Sequence, residues 1–465
     1  MQASLKLSAI GVLGTLCILL GGLVFKIDII ILLLLSIIYL GIVAHFCGMN
    51  MSDIVDGMKQ GCTQAFEGLL FFLLIGAIIG VWIQAGTVPT LVYYGMNILN
   101  PQYFLISSFV ICGLVSCIIG TSWGTVGTVG IAIMGVAVAS GLNIPLYVIA
   151  GSIVSGSWFG DKMSPISDTT VLTATACGTD VYRHIKTMAF TTLPSYGIAL
   201  VIFFMLNKKY VSTAALDMEA VQPMKDALHE MFHLGIPSLI PVVILVILCV
   251  LKVNAVLSLL VVIGSGVLVS IFVQGNSVEM AMNAIMNGMS VESDIPAVEL
   301  LLNRGGVNSM LSTFLLGFMA LCLGGVLQKT GFLSVILEKI TTKLHSTLSL
   351  VFTTMVTCIM SNAVFGDIYL GIVLNGNMYK EVYKEKGLDP SMLSRTIEEA
   401  VTMSAPIIPW TAASAFVVGA LGVPTIQYLP YAVLNLVNPI VSLLFAAFGI
   451  GVIRMSKTAK EKKEA

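Results

Sequence analysis

Charge is scarce in this chain: Asp, Glu, Lys and Arg supply only 10% of its 465 residues, and the formal net charge is −1. A soluble domain carries about 25% charged residues, so this composition excludes an ordinary water-exposed surface. The near-neutral net charge points to no particular partner, and no nucleic-acid partner is expected. Paired cysteines are missing as well. The nine present, at positions 17, 47, 62, 112, 117, 177, 249, 322 and 358, form no CxxC and pair with no histidine, so they read as core filler rather than as a disulfide or metal framework. There is no GxxxxGK[ST] loop, which excludes a P-loop ATPase. No nucleophile and base are grouped as an enzyme would need, so no enzymatic activity, no resident metal and no cofactor are expected. Segments of alternating polarity about ten residues long are also missing, and their absence excludes a membrane β-barrel.

What the chain has in abundance is apolar sequence: 57% hydrophobic residues and a mean hydropathy of +0.98. Runs of about 17–25 apolar residues, the length that crosses a bilayer as a helix, recur near 8–25, 29–47, 68–84, 102–120, 126–141, 144–158, 187–206, 234–251, 255–273, 311–327, 347–361, 405–421 and 429–453. In lipid the backbone must satisfy its own hydrogen bonds, so the expected fold is all-α, with about 11–13 transmembrane helices. The first run follows Lys6 but has no cleavage site after it, and reads as a retained span. Basic residues at Arg454, Lys457, Lys460, Lys462 and Lys463 place the C-terminus in the cytoplasm of a cell inner-membrane protein by the positive-inside bias. Lys208, Lys209 and Lys225 suggest the same side for the connection at 207–232. The side of the N-terminus and the oligomeric state stay open.

The chain repeats itself. Gly80-Val-Trp-Ile-Gln-Ala-Gly86 matches Gly325-Val-Leu-Gln-Lys-Thr-Gly331. The polar break Gly120-Thr-Ser-Trp-Gly124 matches Ser361-Asn-Ala-Val-Phe-Gly-Asp367. Ser164-Pro165 and Thr170 match Ala405-Pro406 and Thr411, with Gly178 against Gly419. The expected organisation is a first transmembrane repeat over 1–206, a polar connection over 207–233, a second repeat over 234–453 and a basic tail from 454. Interrupted helices at matching places in two repeats mark the binding site of a secondary transporter, because unwound backbone is tolerated at membrane depth only beside a cavity. The four breaks are expected to meet there.

The densest polar cluster is Gly160-Asp-Lys-Met-Ser-Pro-Ile-Ser-Asp-Thr-Thr170. Its carboxylates Asp161 and Asp168, its hydroxyls Ser164, Thr169 and Thr170, and carbonyls freed by Pro165 are the hard oxygen ligands that Na+ requires. Lys162 reads as a neutraliser of Asp161, leaving Asp168 as the better ligand. Asp367 and Asn362 form a second focus, because a carboxylate within membrane-embedded sequence is a functional candidate by default. Either is also placed to cap a helix. Thr121, Ser122 and Thr125 in the first break are supporting candidates, while the glycines around them read as packing. Glu398 and Glu399, beside Arg395, read as salt-bridged residues on a surface helix. Asp180, Arg183, His184 and Lys186 read as an interfacial loop, and Trp158 and Trp410 as interface anchors.

The stretch Gly160 to Thr170, followed by Gly178-Thr-Asp180 and His184, resembles the signature of NhaC-type Na+/H+ antiporters, a family within the ion-transporter superfamily that includes malate/lactate-coupled antiporters. Ala85-Gly-Thr-Val-Pro89 and Gly120-Thr-Ser-Trp-Gly-Thr125 extend the similarity. The resemblance implies an antiporter of Na+ and H+ in an inner membrane, with Asp161, Asp168, Thr169 and Thr170 carried over from the signature. The resulting expectation is alternating access in which one carboxylate, Asp168 or Asp367, binds either ion. The alternative is Na+- or H+-coupled exchange of small organic anions such as malate and lactate, with Lys162 or Lys329 as the cation for the substrate carboxylate.

Overall fold

The computed structural model describes residues 4–455, apart from 65, 99–100, 140–141, 212–217, 252 and 342–345. The lysines at 457, 460, 462 and 463 lie outside the described residues. The first part of the chain forms α1 (Leu5–Val24), α2 (Ile29–Phe46), α3 (Met51–Gln64), α4 (Phe66–Gln84), α5 (Thr87–Ile98), α6 (Phe104–Ile119), α7 (Ser122–Thr125), α8 (Ile131–Ala139), α9 (Leu146–Met163), α10 (Asp168–Cys177) and α11 (Val181–Tyr210). Then come α12 (Met218–Met231), α13 (Ile240–Val250), α14 (Ala255–Phe272), α15 (Val278–Asn287), α16 (Pro296–Leu302), α17 (Leu311–Thr330), α18 (Phe332–Thr341), α19 (Thr347–Phe365), α20 (Ile368–Glu385), α21 (Pro390–Ile397), α22 (Ala412–Leu421), α23 (Thr425–Tyr428) and α24 (Val433–Phe448). Among the described residues there is no strand, only one isolated bridge between Leu388 and Arg454. Much of the connection over 207–233 is therefore helical, as α12.

Five helices are long and apolar enough to cross a membrane, or nine if each strongly bent pair counts as one span, and three shorter apolar helices join them. Helices such as α1 and α2 are apolar on every side, with Leu13 and Leu34 exposed, which suits a lipid-facing surface. The polar residues turn inward instead. Ser152, Ser155, Thr191, Ser195 and Asn438 are all buried.

Two of the apolar stretches fold as helical hairpins. From α19 into α20 the chain reverses: Thr357 Oγ1 lies 3.1 Å from Asn375 Oδ1 and 3.0 Å from Tyr379 OH, and Tyr383 OH donates to Thr354 Oγ1 at 3.3 Å. The tip is Gly366, whose φ of +69° is the left-handed conformation glycine adopts without penalty. The earlier hairpin, α6 into α7 and α8, has its tip at Gly120, with φ of +77°.

The hairpins enter from opposite faces. Leu105 N, at the start of α6, donates to Asn207 Oδ1 at the end of α11. The end of α20 lies instead at the other face, where Asp389 N donates to Ile453 O and Arg183 pairs with Asp389. This corrects the expected common side for the two basic segments. Along α11, Lys208 and Lys209 lie about 38 Å from Arg183, and hence from Arg454, at 1.5 Å per residue.

Two further helices are broken in mid-course. Between α9 and α10 the chain unwinds at Ser164 to Ser167, and between α21 and α22 it bends by 46°. The capping there repeats: Ser167 caps α10 from Thr170 N and Thr411 caps α22 from Ser414 N, and each 10-residue helix ends on a left-handed glycine, Gly178 or Gly422. The caps pair Ser167 with Thr411 and Gly178 with Gly422, a register a few residues away from the sequence match of Gly178 with Gly419. At the hairpin tips the same logic pairs Thr121 with Asp367, each an N-cap directly after its tip glycine.

Candidate functional site

All four breaks border one cavity of about 700 Å³. Its lining includes Gly120, Thr121 and Ser122 from the first hairpin tip, Asp161, Asp168 and Thr169 from the α9–α10 break, Asp367 and Tyr369 from the second tip, and Ala412 and Ala413 from the start of α22. Phe71, Phe72 and Trp123 close it with aromatic surface. Helix ends converge because each break exposes backbone groups that no neighbouring turn can satisfy, and a polar cavity is where those groups are tolerated.

Asp161 is the residue this convergence surrounds. It sits in the last turn of α9, 3% exposed. Its Oδ2 accepts from Ser122 Oγ at 2.7 Å, and its Oδ1 accepts from Ser167 Oγ at 2.6 Å. One carboxylate thereby ties the first hairpin tip to the cap of α10. Asp168 lies at the rim, exposed, with Oδ1 accepting from Thr169 N at 2.8 Å and Oδ2 from Tyr369 OH at 2.5 Å. The two aspartates thus have their burial reversed from what their reading as neutralised and ligating residues implies. Asp367 is 5% exposed and caps α20, its Oδ1 accepting from Leu370 N at 2.9 Å.

The other sequence candidates separate into two groups. Thr121, Ser122 and Thr169 line the cavity with the aspartates. Thr125 is buried and donates to Thr121 O at 3.0 Å. The hydroxyl of Thr170 is held by the carbonyls of Asp161 and Lys162 in the last turn of α9, 3.3 and 3.2 Å away. Ser164 is buried, and its Oγ has no partner among the described residues. Asn362 stands behind the second tip, donating from Nδ2 to Val401 O at 2.6 Å and to Ser404 Oγ at 2.9 Å.

Several expectations are corrected here. Lys162 does not pair with the Asp161 carboxylate: it is fully buried, and its Nζ donates to Asn438 Oδ1 at 2.6 Å. Glu398 and Glu399 are not on a surface helix but fully buried in a π-helical turn, Glu398–Thr402. Residues 181–186 form no loop. Asp180 caps α11 through Tyr182 N and Arg183 N, and His184 is buried against Ser394. Trp158 is fully buried, and Trp410 Nε1 donates to Ala363 O at 2.6 Å, so neither is an interface anchor. Sequence reasoning missed the inner acids because charges i and i+4 apart, Arg395 and Glu399, look alike on a wet and a dry helix face. The apolar partners that bury them come from distant segments.

A family model described as the Na+/H+ antiporter family matches residues 3–206 and 159–450. An uncharacterized Na(+)/H(+) antiporter of Haemophilus influenzae is 37% identical over 92% of this chain and 92% of its own. The Na(+)/H(+) antiporter NhaC of Alkalihalophilus pseudofirmus is 35% identical over 94% of each chain. A malate-2H(+)/Na(+)-lactate antiporter of Bacillus subtilis is 34% identical over 87% of this chain and 84% of its own. With hairpin tips, broken helices and aspartates gathered on one cavity, and with the family model matched between residues 3 and 450, this chain belongs to the Na+/H+ antiporter family.

Proposed function

We propose that the chain exchanges Na+ for H+ across a cell inner membrane by alternating access, with Asp161 as the carboxylate that the two ions share. The observation that carries this is the charge of the cavity: Asp161, Asp168 and Asp367 line it, and among the described residues no lysine, arginine or histidine does. Such a cavity attracts small cations and repels anions. Na+ is a hard ion for which carboxylate and hydroxyl oxygens substitute for water. Asp161, with Ser122 and Ser167 on its two oxygens, supplies that set. Asp168, Thr169 and Asp367 complete the ion path, with Thr121 beside it, while Ser164, Thr170, Asn362 and Thr125 support the breaks. The exchange runs on ion gradients and draws on no cofactor. The C-terminus faces the cytoplasm, as the exposed Arg183, Lys186 and Lys386 gathered on the face of Arg454 support.

A second reading, Na+- or H+-coupled exchange of small organic anions such as malate and lactate, is favoured by the size of the cavity. A volume of about 700 Å³ with aromatic walls exceeds what a bare Na+ needs. Against it, Lys162 points away to Asn438 and Lys329 is exposed outside the cavity. In proteoliposomes, a Na+ gradient is expected to drive proton movement with no organic anion present, and Asp161→Asn is expected to abolish it while leaving the protein in the membrane. Proton movement that appears only on addition of malate or lactate would replace the first reading with the second.

A further inference from the structure

Behind the cavity lies a second group of ionisable side chains. Glu398 is fully buried. Its Oε2 accepts from Thr173 Oγ1 at 2.6 Å, and its Oε1 lies 3.4 Å from Thr169 Oγ1. Thr169 Oγ1 is in turn 3.1 Å from Ser167 Oγ, which reaches Asp161 Oδ1 at 2.6 Å. A continuous row of oxygens therefore joins Asp161 to Glu398. The row has three contacts, but its two hydroxyls own only two hydrogens between them. With both carboxylates ionised, one contact brings lone pairs together with nothing between.

Two further observations point the same way. The hydroxyl of Thr402, one helical turn beyond Glu398, is buried and faces the same carboxylate, adding another oxygen to the group. The turn that carries both is π-helical, a local unwinding that often accompanies functional sites. Charge is also unbalanced. The buried ionisable groups around Glu398 and Lys162 are Asp161 at the end of α9, Arg395 on α21 and Glu399 on the π-helical turn, with Cys177 on α10, Cys358 on α19 and His184 on α11 near them. Of these, Lys162 and Arg395 are cationic, Asp161, Glu398 and Glu399 acidic, and the rest neutral; the exposed Asp168 beside Asp161 and the exposed Lys380 beside Cys177 carry opposite charges and leave the balance as it is. The network is short of one positive charge, and an isolated buried charge is costly.

We propose that Glu398 is the second carboxylate of the transported-ion site, and that one Na+ or one H+ at a time is shared between Asp161 and Glu398 through Ser167 and Thr169. This rests on the reading of Asp161 as an ion ligand. Either ion supplies the missing positive charge. A proton fills the contact that lacks a hydrogen: as Glu398 gives its proton to Thr169, Thr169 passes its own to Ser167 and Ser167 passes its own to Asp161, so both hydroxyls end as they began. Na+ instead takes up lone pairs of the same oxygens, and the two ions exclude each other.

Calorimetric Na+ binding to the purified full chain tests this. Glu398→Gln is expected to raise the Na+ dissociation constant about tenfold or more, with no loss of thermal stability in the absence of Na+. Thr169→Val is expected to do the same and Thr169→Ser to restore binding, since only the hydroxyl matters. Glu381→Gln, on the exposed side of α20, serves as the unaffected reference. Glu398→Gln binding Na+ within about twofold of the unsubstituted protein, while Asp161→Asn does not bind, overturns the role of Glu398 and leaves Asp161 standing. Normal binding by Asp161→Asn overturns both. Should Glu398→Gln fail to fold, weak binding by Thr169→Val with normal binding by Thr169→Ser upholds the shared site, and equal binding by the two overturns it.

Discussion

A carboxylate held by hydroxyls from two different segments is positioned before any ion arrives. Ser122 and Ser167 do this for Asp161, whereas Asp168 has a single outside partner, Tyr369, and an exposed position at the rim. Water competes for the rim carboxylate and weakens its hold on an ion. Asp168→Asn is therefore expected to raise the half-saturating Na+ concentration roughly tenfold, equivalent to about 1.4 kcal/mol, and to leave exchange intact at saturating Na+. Tyr369→Phe removes a hydrogen bond but no charge, and its effect is expected to be smaller. Sodium titrations of exchange in vesicles measure both. Loss of all exchange in Asp168→Asn at high Na+ would move the shared ligand to the rim. That both aspartates belong to one polar segment was legible in the spacing of the signature. Which of them is buried was not, because Ser122 approaches from a hairpin tip far away in the chain.

At the scale of elements, glycine spacing sets how closely helices cross. A side chain at Gly325 of α17 would meet Gly57 O of α3 at 2.1 Å, and one at Gly80 of α4 would meet Ala284 O of α15 at 2.2 Å. These are equivalent crossings in the two parts of the chain, since Gly80 and Gly325 head the repeated glycine motif. They also bind the parts together: α3 packs on the later α17, and α15 on the earlier α4. Gly325→Val is expected to cost about 1–3 kcal/mol or more through overpacking against backbone, seen as a lower melting temperature in detergent. Gly264→Ala, where a side chain meets nothing within 4 Å, is expected to change stability by less than about 0.5 kcal/mol. Equal melting temperatures for the two variants would show that the crossing is not tight. The glycine repeat was readable because its spacing is local. The exact register of the caps was not, since it depends on where each helix stops, and so did the direction of α6 through α8 and of α19 through α20, whose arms have the composition of full spans.

At the scale of the whole molecule, hairpins entering from opposite faces bring Thr121 and Asp367 to one cavity, so a movement that opens the cavity to one side closes it to the other. If Na+ and H+ compete for one site within it, lowering the pH equally on both sides should raise the apparent half-saturation constant for Na+ with little change in maximal rate. The sign follows from charge: a protonated carboxylate has lost the charge that offsets Na+ dehydration. A half-saturation constant that stays constant across the neutral pH range would rule out a shared site. By itself the sequence determined that the chain is all-α and lives in lipid, and it marked recurring glycine motifs and a few polar breaks as the places to look for its chemistry. Those properties are set by composition and local spacing, which act over a helix turn or two. Only the tertiary structure decided that two apolar stretches fold as hairpins, that Asp161 rather than Asp168 is enclosed, and that Glu398 and Lys162 lie buried behind it. Burial depends on which distant helices cover a residue, and a short polar segment reads the same whether it meets water or another helix.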